Sequence, residues 1–228
     1  MMNIIEKTKK FIRDKQMGES SGHDWWHTLR VYQMAVHLAG TVSEPVDMEI
    51  VELAALLHDI EDWKFHDGNE DAGPDAAENW LESSGVPGAK IRHIRKIIRD
   101  LSYKGSDSVP MTSIEGMIVQ DADRLDAVGA IGIARCFAFG AKINNEIFNP
   151  EIPARVNISG EEYKDHSQKT TAINHFFEKL FVLKDLYNLE EAKKIGLERH
   201  LFMKNFVKQL LEECKAENTR QYELLSEV

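Results

Sequence analysis

The chain has 228 residues, 43% hydrophobic and 29% charged, with a formal net charge of −10 at pH 7. That length and balance exclude a disordered chain and suit one large domain with a sizeable core. Two cysteines exclude a disulfide framework and a C-x-x-C zinc module, no apolar run reaches the length of a membrane span, and the acidic balance argues against a broad nucleic-acid surface.

The N-terminal stretch MMNIIEKTKKFIRDK carries charges among its apolar residues, unlike a secretory signal, so the expected compartment is the cytoplasm. Helical spacing puts Ile4, Ile5, Thr8, Phe11 and Ile12 on one face over residues 3–16, with Asn3 as N-cap. A second helix is predicted from about Asp24 to Leu38, closed by Gly40 at the C′ position. Pro45 and Asp47 open a third, very apolar helix predicted to end near Trp63, and residues 64–73 read as a polar loop. Gly73-Pro74 starts a short helix that ends at Gly85, with Pro at its first position. Another helix follows over about 89–101.

Thr112-x-x-Glu115 reads as a capping box opening a helical stretch over roughly 112–140. Residues 141–160, with two prolines and four asparagines, read as irregular and as a candidate lid. Ser159-x-x-Glu162 caps the next helix, and the last two helices are predicted over about 162–187 and 190–217. No period-two strand, repeat or long linker stands out. The expectation is one all-α domain over 1–228, with the C-terminal helices packed on a core at about 20–140.

Three segments concentrate metal-capable groups in apolar settings: GHDWWHTLRV (22–31), LHDIEDWK (57–64) and QDADRLDAVGA (120–130). His58 and Asp59 follow the run IVELAALL (50–57), where an imidazole and a carboxylate are costly unless paired or ligating. His27 sits beside Trp25 and Trp26. Asp123 lies among Ile118, Val119, Leu125, Val128 and Ile131, all of which read as buried. Each segment alone has an ordinary explanation, as a solvated helix end or a satisfied core polar group. Together His27, His58, Asp59 and Asp123 make an N,N,O,O set without thiolate. That set suits Mn²⁺, Fe²⁺, Co²⁺ or Ni²⁺, admits Mg²⁺, and disfavours structural zinc.

The pattern resembles the HD-domain superfamily of metal-dependent phosphohydrolases, whose signature H…HD…D reads here as His27, His58-Asp59 and Asp123. SGHDWWHTLRV, LLHDIEDWK, IVQDADRLDAVGAIGIAR and HFFEKLFVLKD are similar to small stand-alone bacterial and archaeal members, over about residues 20–210. The resemblance implies a helical bundle and a divalent ion, with Mn²⁺ favoured, held by those four residues. It also implies hydrolysis of a nucleotide phosphoester or phosphoanhydride. The two-metal branch adds histidines between the doublet and the last Asp; only His66 and His93 are available, which favours one tightly bound ion.

Relatives use acidic residues after the doublet as general acid or base. The (p)ppGpp hydrolases carry HD-x-x-ED where this chain has HD-x-ED, so the register favours Asp62 over Glu61. Asp62 shares a helix face with Asp59 and His58 provided the helix persists. Arg30, Lys64 and Arg124 lie within a few residues of the ligand positions and are candidate phosphate contacts. Arg92, Arg95, Lys96 and Arg99 form a contiguous basic stripe, read first as a solvated face balancing an acidic neighbour, with phosphate binding as the alternative. His23 reads as a capping or outer group, His175, Lys179, Arg199 and His200 read as packing or outer groups, and Cys136 reads as core.

The expected activity is pyrophosphohydrolysis of (deoxy)nucleoside triphosphates. A nucleoside 5′-monophosphate phosphatase, a (p)ppGpp hydrolase and a non-catalytic metal-binding sensor are the alternatives. No membrane or nucleic-acid partner is expected, and the C-terminal helices can pack internally or across a homodimer.

Overall fold

A computed structural model describes residues 3–18, 22–61, 69–101, 110–159, 161–162 and 168–228. Every regular element among these residues is helical, as the sequence periodicity requires. They cluster into two compact units, Met1–Ser102 with Val109–Asp123 and Tyr103–Ser108 with Arg124–Val228.

In the first unit, α1 (Ile4–Gln16) starts at Asn3, whose side chain accepts from Glu6 N at 2.9 Å. It buries Ile5, Thr8, Ile12 and Gln16 on one stripe. Phe11 stacks on Trp80 at 3.9 Å, and the Trp80 indole donates to Thr8 Oγ1. Helix α2 (Trp25–Ala39) is capped by Asp24, which accepts from His27 N at 2.9 Å. Gly40 is its right-handed C-cap with φ −74°, not a left-handed C′ residue.

Helix α3 (Met48–Leu57) is apolar except for Glu49 and Glu52 and packs against α1, α2 and a fifth helix (Gly88–Leu101), so it forms the centre of this unit. It stops at Leu57, not near Trp63, which itself lies outside the described residues. The His58 ring donates back to the Ala55 carbonyl at 2.8 Å, occupying the acceptor that a helical Asp59 amide would use. Residues 58–60 turn, with Ile60 N bonded to Leu57 O.

Helix α4 (Ala72–Ser83) begins one residue before Gly73, which puts Pro74 third in the helix, still within the turn whose N–H groups lack helical acceptors. Helix α5 (Gly88–Leu101) buries Ile91, Ile94, Ile97, Ile98 and Leu101 as read from the sequence. Its basic stripe pairs with acids. Arg95 meets Asp75 at 2.6 Å, Glu78 at 2.9 Å and Asp71 at 3.5 Å, Arg99 lies 3.7 Å from Asp71, and Lys96 pairs with Asp100. The stripe thus joins α5 to α4 electrostatically.

Helix α6 (Ile114–Asp126) opens at Ser113, not Thr112: Ser113 Oγ accepts from Gly116 N, while Glu115 accepts from Asp47 N at 3.1 Å instead of closing a capping box. The boundary between the units falls within α6, after Asp123.

The helical stretch expected over roughly 112–140 is made of two helices, and the second lies in the second unit. Gly129 has φ +78° and starts a separate α7 (Gly129–Lys142). Ile131, expected in the core, is 42% exposed on that helix. Residues 143–159 are irregular but anchored: Glu146 O and Ile147 O accept from Ala172 N and Ile173 N, and Ile152 O accepts from Asn174 and Gln221. The Ser159–Glu162 capping box forms reciprocally, at 2.8 and 3.2 Å.

The helix expected over 162–187 is not continuous. Its described part contains α8 (Ala172–His175), a π-helical turn Phe176–Leu180 and a 3₁₀ turn Val182–Asp185. This register buries Phe176, Phe177, Leu180 and Phe181 together against Met203, Val207 and Leu211 of α9 (Glu190–Glu213). Helix α9 ends four residues before the expected position, and a short α10 (Arg220–Leu224) follows.

His200 of α9 is 4% exposed and meets the Phe181 ring edge-on at 5.2 Å, with no hydrogen-bond partner for Nδ1. Burial, with Lys184 and Lys204 nearby, pushes its imidazole down from 6.5 to about 4. The unfolded chain takes up this proton near pH 6.5 and the folded chain only near 4. Stability from this group is therefore complete above 6.5 and is lost as pH falls from 6.5 to 4, by up to about 3 kcal/mol. Urea melts at pH 7 and pH 4.5 are expected to show a smaller acid loss for His200→Phe than for the wild type. Equal losses would contradict this account.

Candidate metal centre

Four of the first unit's side chains converge from three segments. His27 lies in the first turn of α2, where the Asp24 cap fixes its backbone. His58 and Asp59 occupy the turn after α3, and Asp123 lies on α6. His27 Nε2 is 3.1 Å from His58 Nε2. Asp123 Oδ1 is 3.6 and 3.7 Å from those two nitrogens, and Asp59 Oδ2 is 3.7 Å from His27 Nε2. The imidazoles are nearly inaccessible, at 1% and 3%, whereas Asp59 is 13% and Asp123 31% exposed. The nitrogens form the floor of the cluster and the carboxylates its accessible side.

The donor set fits a divalent cation. Because His58 Nδ1 donates to Ala55 O, its Nε2 carries a bare lone pair facing His27. Two ligand nitrogens at right angles around one ion, with bonds of about 2.1 Å, lie about 3.0 Å apart. The two imidazole nitrogens, 3.1 Å apart, have that separation. Residues His27, His58 and Asp123 form one group able to hold a cation, and His23, His27 and Asp59 form another.

His23 adjoins the set. Its Nδ1 lies 2.6 Å from Asp59 Oδ2, the distance of a strong hydrogen bond. Asp24, next to it, does the capping. Burial opposes the charge on Asp59, but His23, His58 and His27 around it hold its carboxyl well below the usual carboxylate range. Gln16, absent from the sequence-based set, donates through Nε2 to Asp59 O at 3.1 Å and accepts from Thr28 Oγ at 2.8 Å. Its position four residues after Ile12, on the buried stripe of α1, was the available signal.

The remaining candidates are placed differently. Glu61 pairs with Lys15 at the end of α1, at 2.5 Å. Asp62, Lys64 and His66 lie outside the described residues. Since α3 ends at Leu57, the shared helix face expected for His58, Asp59 and Asp62 does not arise from α3. Arg30 lies one turn after His27 on α2. In the second unit, the Arg124 guanidinium donates to Leu186 O. His93 is engaged elsewhere, 2.9 Å from Ser113 Oγ and 3.8 Å from Glu115. Cys136 donates to Ala172 O, and burial pushes its thiol up to about 12.

An all-helical fold carrying an H…HD…D cluster defines the class: the chain belongs to the HD-domain family, whose pattern matches residues 25–128. It is 36% identical to YpgQ of Bacillus subtilis over 207 residues, 90% of this chain and 91% of the relative. A Lactobacillus plantarum crystal structure is 35% identical, with a TM-score of 0.81, covering 95% of this chain and 100% of its own. An HD-superfamily hydrolase from Bacillus thuringiensis is 39% identical, with a TM-score of 0.68, covering 93% and 97%. A structure of YpgQ in complex with ADP aligns with a TM-score of 0.69 at 32% identity, covering 92% and 97%. HD domains bind divalent metals, and the His and Asp groups here could hold one. No helix among the described residues is long and apolar enough to cross a membrane.

Proposed function

We propose that this protein is a metal-dependent phosphohydrolase of nucleotides, specifically a (deoxy)nucleoside triphosphate pyrophosphohydrolase releasing monophosphate and pyrophosphate. The observation that carries the reading is the pair of buried imidazole nitrogens 3.1 Å apart, flanked by the more accessible carboxylates of Asp59 and Asp123. The complex of YpgQ with ADP supports a nucleotide as the ligand class. The preference for a triphosphate rests on the resemblance to small stand-alone HD hydrolases.

A divalent ion bound by His27, His58, Asp59 and Asp123 supplies Lewis-acid activation of water and of a phosphoryl oxygen. The protein's own groups set the geometry. The Ala55 carbonyl fixes the His58 tautomer, and His23 fixes the Asp59 carboxylate. Asp59 and Asp123 are the more exposed members, so a substrate approaches from their side while the imidazoles stay dry. Asp62, with Glu61 beside it, is the proposed general acid or base, and Arg30 and Lys64 are the proposed phosphate contacts.

A hydrolysis panel tests the reading. Protein stripped of metal and reloaded with Mn²⁺ is incubated with NTPs, dNTPs, NMPs and ppGpp, with products read by ³¹P NMR. Pyrophosphate from triphosphates is the expected result. Inorganic phosphate from monophosphates, or pyrophosphate only from ppGpp, would move the assignment to those substrates, and silence with Mn²⁺ bound would remove the nucleotide reading.

A further inference from the structure

We infer that Gln16 is a positioning residue of the metal centre, acting through the backbone of Asp59; the inference rests on the metal-dependent reading above. The amide orientation is set by chemistry. The Asp59 carbonyl only accepts, so Nε2 must face it at 3.1 Å. Oε1 therefore faces Thr28, whose hydroxyl must donate at 2.8 Å. Gln16 is 6% and Thr28 0% exposed, so water does not readily replace either partner.

The bridge joins three segments that must agree for the cluster to exist. Thr28 follows His27 on α2, Gln16 ends α1, and Asp59 sits in the turn after α3. Asp59 lies beyond the last residue of α3, Leu57, so contacts from outside that helix help to place its carbonyl. The end of α1 supplies two of them: Gln16 holds Asp59 O, and Lys15 pairs with Glu61 two residues later. His23 then orients the Asp59 side chain, so carbonyl and carboxylate are gripped separately. A shorter Asn cannot span the two partners. A Glu sets an acceptor against the Asp59 carbonyl and adds a buried charge beside the carboxylate.

The test is Mn²⁺ binding by titration and by the EPR spectrum of bound Mn²⁺, on full-length wild type, Gln16→Leu, Thr28→Val and the double variant. Gln16→Leu keeps the volume and removes both hydrogen bonds. It is expected to weaken Mn²⁺ binding about 10–100-fold, the range for outer-sphere partners of metal ligands. It should also alter the EPR line shape and lower kcat with the nucleotide KM unchanged, at wild-type helix content by circular dichroism. Thr28→Val should give a smaller loss, and the double variant a loss no larger than Gln16→Leu alone, because the two residues act in series. Unchanged Mn²⁺ affinity and spectrum in folded Gln16→Leu would overturn the role. If that variant does not fold, Thr28→Val decides by the same criterion. A wild type that binds no Mn²⁺ would overturn the metal-centre reading itself, and this role with it.

Discussion

Asp59→Ala is expected to abolish nucleotide hydrolysis and tight Mn²⁺ binding while leaving the helical fold in place. Asp59 is the residue on which the cluster's contacts converge: its carboxylate meets His23 at 2.6 Å and His27 at 3.7 Å, and its carbonyl accepts from Gln16. Removing the side chain deletes an oxygen donor and releases His23, so the loss of affinity should exceed the about 10–100-fold that outer partners cost. The fold has less to lose. The His23 side chain is 25% exposed, so water can take over the hydrogen bond that Asp59 accepted. The Gln16 contact is made to the backbone and survives the substitution. Circular dichroism, Mn²⁺ titration and turnover on the same preparation check the claim. Hydrolysis at the wild-type rate by a folded Asp59→Ala protein would contradict the proposed site.

Gly132→Ala is expected to destabilise the second unit. On an ordinary helical position, replacing glycine by alanine gains up to about 1 kcal/mol from backbone entropy and propensity. At Gly132 the sign reverses. A Cβ there would stand 2.2 Å from the Ala127 carbonyl oxygen and 2.5 Å from its carbon, against about 3.3 Å for a close C–H···O contact. Both obstructing atoms are backbone, so no side chain can rotate away. Either α7 or the turn before it, already left-handed at Gly129, must move. Overpacking of this kind costs about 3 kcal/mol, which lowers Tm by on the order of 10 °C in a chain of this size. A thermal melt checks it, and a Tm at or above the wild-type value would show that the turn relaxes without cost.

The contrast between these two sites is also the contrast between what periodicity reveals and what it hides. The buried faces of α1 and α5, the Asn3, Asp24 and Asp47 caps and the Ser159–Glu162 capping box follow from local rules. They depend on residues three or four apart, which a helix brings together by itself. The metal-capable set was legible for a related reason. Imidazoles and carboxylates in apolar surroundings are costly unless they share a partner, and three such segments in one chain narrow the choice.

Helix ends were less legible because they depend on partners distant in sequence or on competition for one acceptor. At the end of α3 the His58 ring competes for the Ala55 carbonyl, and α6 opens at Ser113 while Glu115 accepts from Asp47 N. Helical spacing continues through Gly129, and through 176–185, without showing that the backbone will break or change its helical type.

By itself, then, the amino-acid order determined the all-α class, most amphipathic faces and the residue types of a cation site, because those properties reside in side-chain chemistry and in the fixed helical repeat. Only the tertiary structure decided that His27 and His58 point their Nε2 atoms at each other, that His23 and Gln16 grip the two ends of Asp59, and that the basic face of α5 is paired with α4. Those outcomes depend on hydrogen bonds between residues 12 to 43 positions apart and on ion pairs between helices. Their partners are selected by packing geometry, which no local pattern encodes.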